Sequence, residues 1–188
     1  MIKRLIEHWV YGGFLAGLLF LALTPVFAWQ WTAAMTLVFL QLPVYMIHQF
    51  EEHDDGRFAA AINALLGRGR IVLDDTAVFV INVPGVWGVN AISIWLAFAA
   101  GIGWGLIGVY LTLVNALAHI GQAIRLRAYN PGLVTAVLLF LPVGLLAAFT
   151  VGAEPTVTTT HHVVGLLVAV AIHAAIIVYV FSRRRSAS

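Results

Sequence analysis

Residues 31–53 read WTAAMTLVFLQLPVYMIHQFEEH: seventeen residues without a charge, then two histidines and two adjacent glutamates within six positions. About 20 mostly apolar residues are enough for a helix to cross the hydrocarbon core of a bilayer. Polar groups closing such a run either reach lipid headgroups or face other helices, and the second case defaults to a functional reading. The rest of the chain decides between them.

Of the 188 residues 62% are hydrophobic and only 10% charged, where a soluble domain carries about 25%. Too few polar groups exist to cover a water-facing surface, so the composition predicts an integral membrane protein. Its length suits a single transmembrane helical domain over 1–188. No cysteine is present, which excludes disulfides, thiolate metal sites and cysteine nucleophiles. Nucleic acid is excluded as a partner, because no basic face with interleaved aromatics remains once loops are assigned.

Six segments are apolar enough to span: roughly 9–28, 31–50, 77–99, 103–122, 133–151 and 161–181. Lys3, Arg4 and the run Val10–Leu23 also resemble a cleavable signal. Glu7 is acidic where such signals are usually basic, and the topology needs this segment, so it is read as span 1. With the N-terminus inside, the cytoplasmic segments are 1–8, 51–75, 123–132 and the basic tail 182–188. Those four hold every one of the ten Lys and Arg residues, as the positive-inside rule demands. The expected architecture is therefore an all-α, polytopic bundle of six transmembrane helices in the cell membrane, both termini cytoplasmic. Within 51–75, residues 57–66 (RFAAAINALL) suit a short interfacial helix before the turn-like GRGR of 67–70.

Topology then places polar groups in depth. His48, Glu51 and Glu52 end span 2, at offsets of three and four that share a helical face. Asn115, His119 and Gln122 have the same spacing near the end of span 4. Asn82 in span 3 and His173 in span 6 reach similar depth. A histidine with carboxylates at i+3 and i+4, joined by a histidine from another helix, is a ligand set for zinc or iron. The expected metal ligands are His48, Glu51, Glu52 and His119, and the expected catalytic groups Glu51, Glu52 and Asn115. Supporting or substrate-contacting roles fall to Asn82, Gln122, Arg125, Tyr129 and His173. His53, about 140° around the helix from His48, is expected to point elsewhere. The plainer alternative makes the double acid a headgroup-level helix end and Asn115 and His119 interhelical hydrogen-bond glue. Tyr129-Asn130-Pro131-Gly132 reads as a tight turn before span 5, with Tyr129 able to close the mouth of a site. His161-His162 lies at the far surface, too distant in depth to join.

HQFEE at 48–52 resembles the HxxEE signature of a family of small bacterial integral membrane proteins of uncharacterised function. Asn115-Ala-Leu-Ala-His119 and Tyr129-Asn-Pro-Gly-Leu-Val-Thr-Ala136 resemble its downstream segments, in order. The resemblance implies a suspected enzyme and no reaction class. Together these readings predict a metal-dependent intramembrane enzyme acting, by hydrolysis in the simplest case, on a lipid or other hydrophobic small molecule. A metal-free acid–base isomerase or cyclase, and a small proton- or ion-coupled transporter, use the same residues. Oligomeric state is not encoded in any of these features.

Overall fold

The computed structural model describes residues 1–185, of Arg185 the backbone alone; the end of the expected basic tail, 186–188, lies outside the described residues. Among the described residues every regular element is helical, and six helices are long and apolar enough to cross a membrane. They are span 1 (Ile2–Ala28), span 2 (Ala33–His53), span 3 (Asp75–Ala99), span 4 (Ile102–Leu126), span 5 (Leu133–Gly152) and span 6 (Thr159–Arg185). Several run past the apolar segments that mark them. A hydropathy run measures the hydrocarbon layer, whereas the helix continues until its backbone is capped, so the first, second and last spans carry their charged ends as extra turns.

Span 2 sits at the centre, packed against spans 1, 3, 4 and 5. Thr32 starts it, its hydroxyl accepting from Met35 N at 3.1 Å, which satisfies one of the first-turn N–H groups. Span 1 lies close along it: a Cβ on Gly17 would sit 3.0 Å from Met46 Cβ and 3.1 Å from the Pro43 carbonyl oxygen, so a side chain there would hold the helices apart. The outward faces remain greasy. Leu15, Leu19, Trp95, Phe98 and Phe149 are all exposed, the surface expected of a multi-pass membrane protein.

Span 4 opens with a 3₁₀ segment, Ile102–Gly105, and two other spans contain π-helical geometry. Span 3 widens to π-helical geometry over Ile81–Trp87, around Pro84, and span 5 over Ala136–Phe140, just before Pro142. Proline lacks the N–H that the helical ladder needs, and a local π-turn accommodates the gap. After His53 the chain turns through Asp55 and Gly56, both at positive φ, into the short helix Arg57–Leu66. Asn63 then fastens the returning strap. Its Oδ1 accepts from Val72 N and Leu73 N, and its Nδ2 donates to the Leu73 carbonyl. Asp74 caps span 3 through Ala77 N at 2.8 Å and pairs with Arg183 of span 6 at 2.9 Å. Trp9 of span 1 packs on His53 at the same end, so the first turns of span 1, the last turns of span 6 and the HQFEEH turn share one end of the bundle.

Candidate metal centre

Glu51 and Glu52 are neighbours in sequence and therefore about 100° apart around the helix. This angle separates their environments. Glu52 turns inward, one helical turn from His48, towards span 4. Its Oε2 lies 3.5 Å from His48 Nε2 and its Oε1 3.4 Å from His119 Nε2. His48 is wholly buried, and Glu52 and His119 are 6% and 5% exposed. One ligand atom from each of the three lies within 4.8 Å of the others, a geometry able to hold a metal ion.

The far side of each imidazole settles which nitrogen carries hydrogen. Asn130 Nδ2 donates to the His119 backbone carbonyl at 2.9 Å, which fixes the amide orientation. Asn130 Oδ1 is then the acceptor 2.7 Å from His119 Nδ1, so Nδ1 bears the proton. His48 Nδ1 is 2.8 Å from Thr135 Oγ1. That hydroxyl's other neighbours, Glu51 Oε2 at 2.5 Å and the Gly132 carbonyl at 3.3 Å, only accept. Its one hydrogen is therefore committed, and it must receive the proton of His48 Nδ1. With both rings neutral, the Nε2 atoms are left as lone pairs facing the Glu52 carboxylate, and His48 Nε2 has no hydrogen-bond partner. Three electron-rich groups then meet in a buried space. A cation is what such an arrangement fits.

Glu51, expected among the metal ligands, stands outside this group. Its oxygens accept from Thr135 N at 2.7 Å, Val134 N at 3.1 Å, the Thr135 hydroxyl and the Tyr129 hydroxyl at 2.9 Å. It thus covers the exposed N–H groups that start span 5, where a carboxylate is favoured by the helix dipole. Its link to the centre runs through Thr135 to His48. Tyr129 lies outside the spans, and its phenol is held above its ordinary pKa by partial burial first, then by the hydrogen bond and charge of Glu51.

His53 requires correction. Rather than pointing away, it is buried, with Nε2 3.1 Å from Glu52 Oε2 though not aligned as a hydrogen bond. It is the last residue of span 2, at φ −113° and ψ −5°, so the ideal helical phase no longer applies there. Trp9 and Phe58 hold the ring, with centroids 5.3 and 5.2 Å away.

The connection read as a simple turn forms the third side of the centre. Gly132 has φ +96°, and a Cβ there would fall 2.7 Å from His119 Cε1 and 2.8 Å from His48 Cε1. Only glycine lets the backbone pass so close to both rings. Asn130, Gly132 and Thr135 were not among the expected site residues. The signal was present in the YNPGLVTA segment, which turn chemistry alone accounts for equally well.

Beyond Glu52 and His119 a cavity of about 320 Å³ opens between spans 3, 4 and 6. Asn82, Asn115, Gln122 and His173 line it. Asn82 is already engaged, accepting from Gln49 Nε2 at 2.8 Å and donating to the Val78 carbonyl. His173 Nδ1 donates to the Ala169 carbonyl at 2.8 Å. Arg125 is exposed at the end of span 4 and does not line the cavity. At the other end of the bundle His162 pairs with Tyr110 at 2.8 Å and His161 packs on Trp104.

Fold and site together define a polytopic helical membrane protein with a buried His/Glu centre capable of binding a metal. The family model described as "protein of unknown function with HXXEE motif" matches residues 37–147, and the chain belongs to that family. The match covers most of span 2, spans 3 and 4, the connection 127–132 and most of span 5, which together supply His48, Glu52, His119, Asn130, Gly132 and Thr135. No curated protein and no solved structure matches the chain.

Proposed function

We propose that the protein is a metal-dependent intramembrane enzyme, with zinc or iron held by Nε2 of His48, Nε2 of His119 and the Glu52 carboxylate, acting on a hydrophobic small molecule. One observation carries this reading. Asn130 and Thr135 hold both imidazoles with Nδ1 protonated, so in the neutral rings both Nε2 lone pairs face the buried Glu52 carboxylate. A bound metal would act there as a Lewis acid and lower the pKa of a coordinated water, for which hydrolysis is the simplest use. The chain's own groups would do the rest. The apolar cavity would exclude bulk water and seat the substrate, and Asn115 would orient its polar head.

The cytoplasmic placement of the centre rests on charge. The end of the bundle that holds it also holds Lys3, Arg4, Arg57, Arg70, Arg125 and Arg183, and the opposite connections contain no Lys or Arg. A metal-free acid–base reaction is a second reading, supported by the 3.1 Å approach of His53 to Glu52, a carboxylate–imidazole pair beside the cavity.

Metal analysis of the purified protein separates the two. The metalloenzyme reading expects about one zinc or iron per chain, lost in His48→Ala and His119→Ala. Metal-free protein after reconstitution with either ion, or metal retained in both variants, rejects it.

A further inference from the structure

The cavity beside the candidate centre has a composition that selects its occupant. Among the described residues its polar lining consists of amides, imidazoles and the Tyr45 phenol, with Glu52 as its one carboxylate. No Lys or Arg among the described residues lines it. In the metal-free protein a phosphate, sulfate or carboxylate head would therefore meet the Glu52 carboxylate with no lysine or arginine to offset it, in a setting of low dielectric where repulsion is strong.

One amide is left incomplete. Asn115 lines the cavity, its amide lies against the Tyr45 hydroxyl, and its Oδ1 is buried without a partner. Asn82 and His173, which share the lining, are bonded to Val78, Gln49 and Ala169. A buried acceptor without a donor costs about 1–3 kcal/mol, which an incoming O–H or N–H group would recover.

The remaining surface is apolar and elongated. Along span 6 it runs from Ile172 to Phe181, ten residues that rise about 14 Å. Phe58, Ile62 and Leu66 of the short helix roof it. Its volume of about 320 Å³ holds on the order of ten groups of water or methylene size. This space fits one chain of medium length.

We infer that the cavity binds an uncharged, single-chain amphiphile whose head carries a hydroxyl or N–H group donated to Asn115 Oδ1. This rests on the reading of the cavity as the substrate site and narrows it to a chemical class.

The test uses the full chain in phosphatidylcholine nanodiscs, both zinc-loaded and chelator-stripped, with five twelve-carbon probes: dodecanol, dodecanamide, dodecanoate, dodecyl phosphate and dodecane. Affinity is read from the concentration dependence of the shift in thermal midpoint. Dodecanol and dodecanamide should stabilise the protein in both metal states. Asn115→Leu should weaken them about tenfold while leaving dodecane unaffected, the loss expected for one buried hydrogen bond. Ile176→Trp, which fills the cavity, should abolish all shifts. Dodecanoate or dodecyl phosphate binding the chelator-stripped protein as tightly as dodecanol overturns the inference, as does an Asn115→Leu variant with undiminished affinity for dodecanol. The stripped arm keeps the two proposals separate: neutral-head selectivity without any metal stoichiometry sinks the metalloenzyme reading alone, and full stoichiometry without selectivity sinks this one alone.

Discussion

Replacing Thr135 by valine tests the logic of the centre without touching a ligand. Valine keeps the shape of threonine and removes the hydroxyl. His48 Nδ1–H loses its acceptor at 2.8 Å, and Glu51 loses one of its four donors, while the Thr135 backbone N–H bond to Glu51 at 2.7 Å remains. The start of span 5 therefore stays capped. His48 loses the group that fixes its tautomer and ring angle. Loss of such an orienting partner typically lowers metal affinity about 10- to 100-fold, or about 1.4–2.8 kcal/mol. Zinc affinity, measured by competition with a chromophoric chelator on solubilised protein, should fall by that factor in Thr135→Val and recover in Thr135→Ser. A Thr135→Val protein that binds zinc as tightly as the parent refutes the tautomer argument. So does a Thr135→Ser protein as weak as the valine variant, since the hydroxyl would then not be the operative group.

The two glutamates should part in the same assay: Glu52→Gln loses the metal, whereas Glu51→Gln keeps its stoichiometry but lowers thermal stability by about 1–3 kcal/mol, because an amide nitrogen now faces N–H donors. Gly132→Ala should lose both metal binding and stability, its methyl group colliding with the two imidazoles at a backbone angle that L-residues avoid; zinc stoichiometry and thermal midpoint report each. The Tyr129 phenol, isolated by difference against Tyr129→Phe in an absorbance titration, should ionise above its ordinary value, and Glu51→Gln should bring it down by removing the hydrogen bond and the charge. Asn63→Ala should strip the 67–73 strap of three hydrogen bonds and make it the site of fastest limited proteolysis, with metal stoichiometry unchanged.

The membrane fold was legible because its signals are long: apolar runs the width of a bilayer, and basic residues segregated to alternate connections. The His48, Glu52 and His119 group was legible through helical spacing on two spans of the same direction. Spacing failed at finer resolution. It placed Glu51 and Glu52 on one face, although 100° divides them and span 5 supplies Glu51 with N–H donors that no pattern within span 2 announces. It sent His53 outward by assuming ideal helix up to the last residue, where the backbone has already begun to turn. Asn130 and Thr135 escaped because their roles depend on a turn folding back over two other helices. Turn chemistry explains Pro131 and Gly132 locally, and nothing in a single sequence reveals which rings that glycine must clear.

The passage of Gly132 across both imidazoles also has a consequence for the order of synthesis. All three candidate ligands have been made by residue 119, whereas the groups that orient them, Asn130 and Thr135, arrive only with the next span. A chain released before span 5 should hold metal loosely and exchange it freely. Once span 5 docks, the backbone shuts that side, and exchange is left to the apolar cavity. If the centre holds a metal, biogenesis would thus set a window for loading, which a series of truncations ending between residues 122 and 152 would expose as an abrupt slowing of metal release.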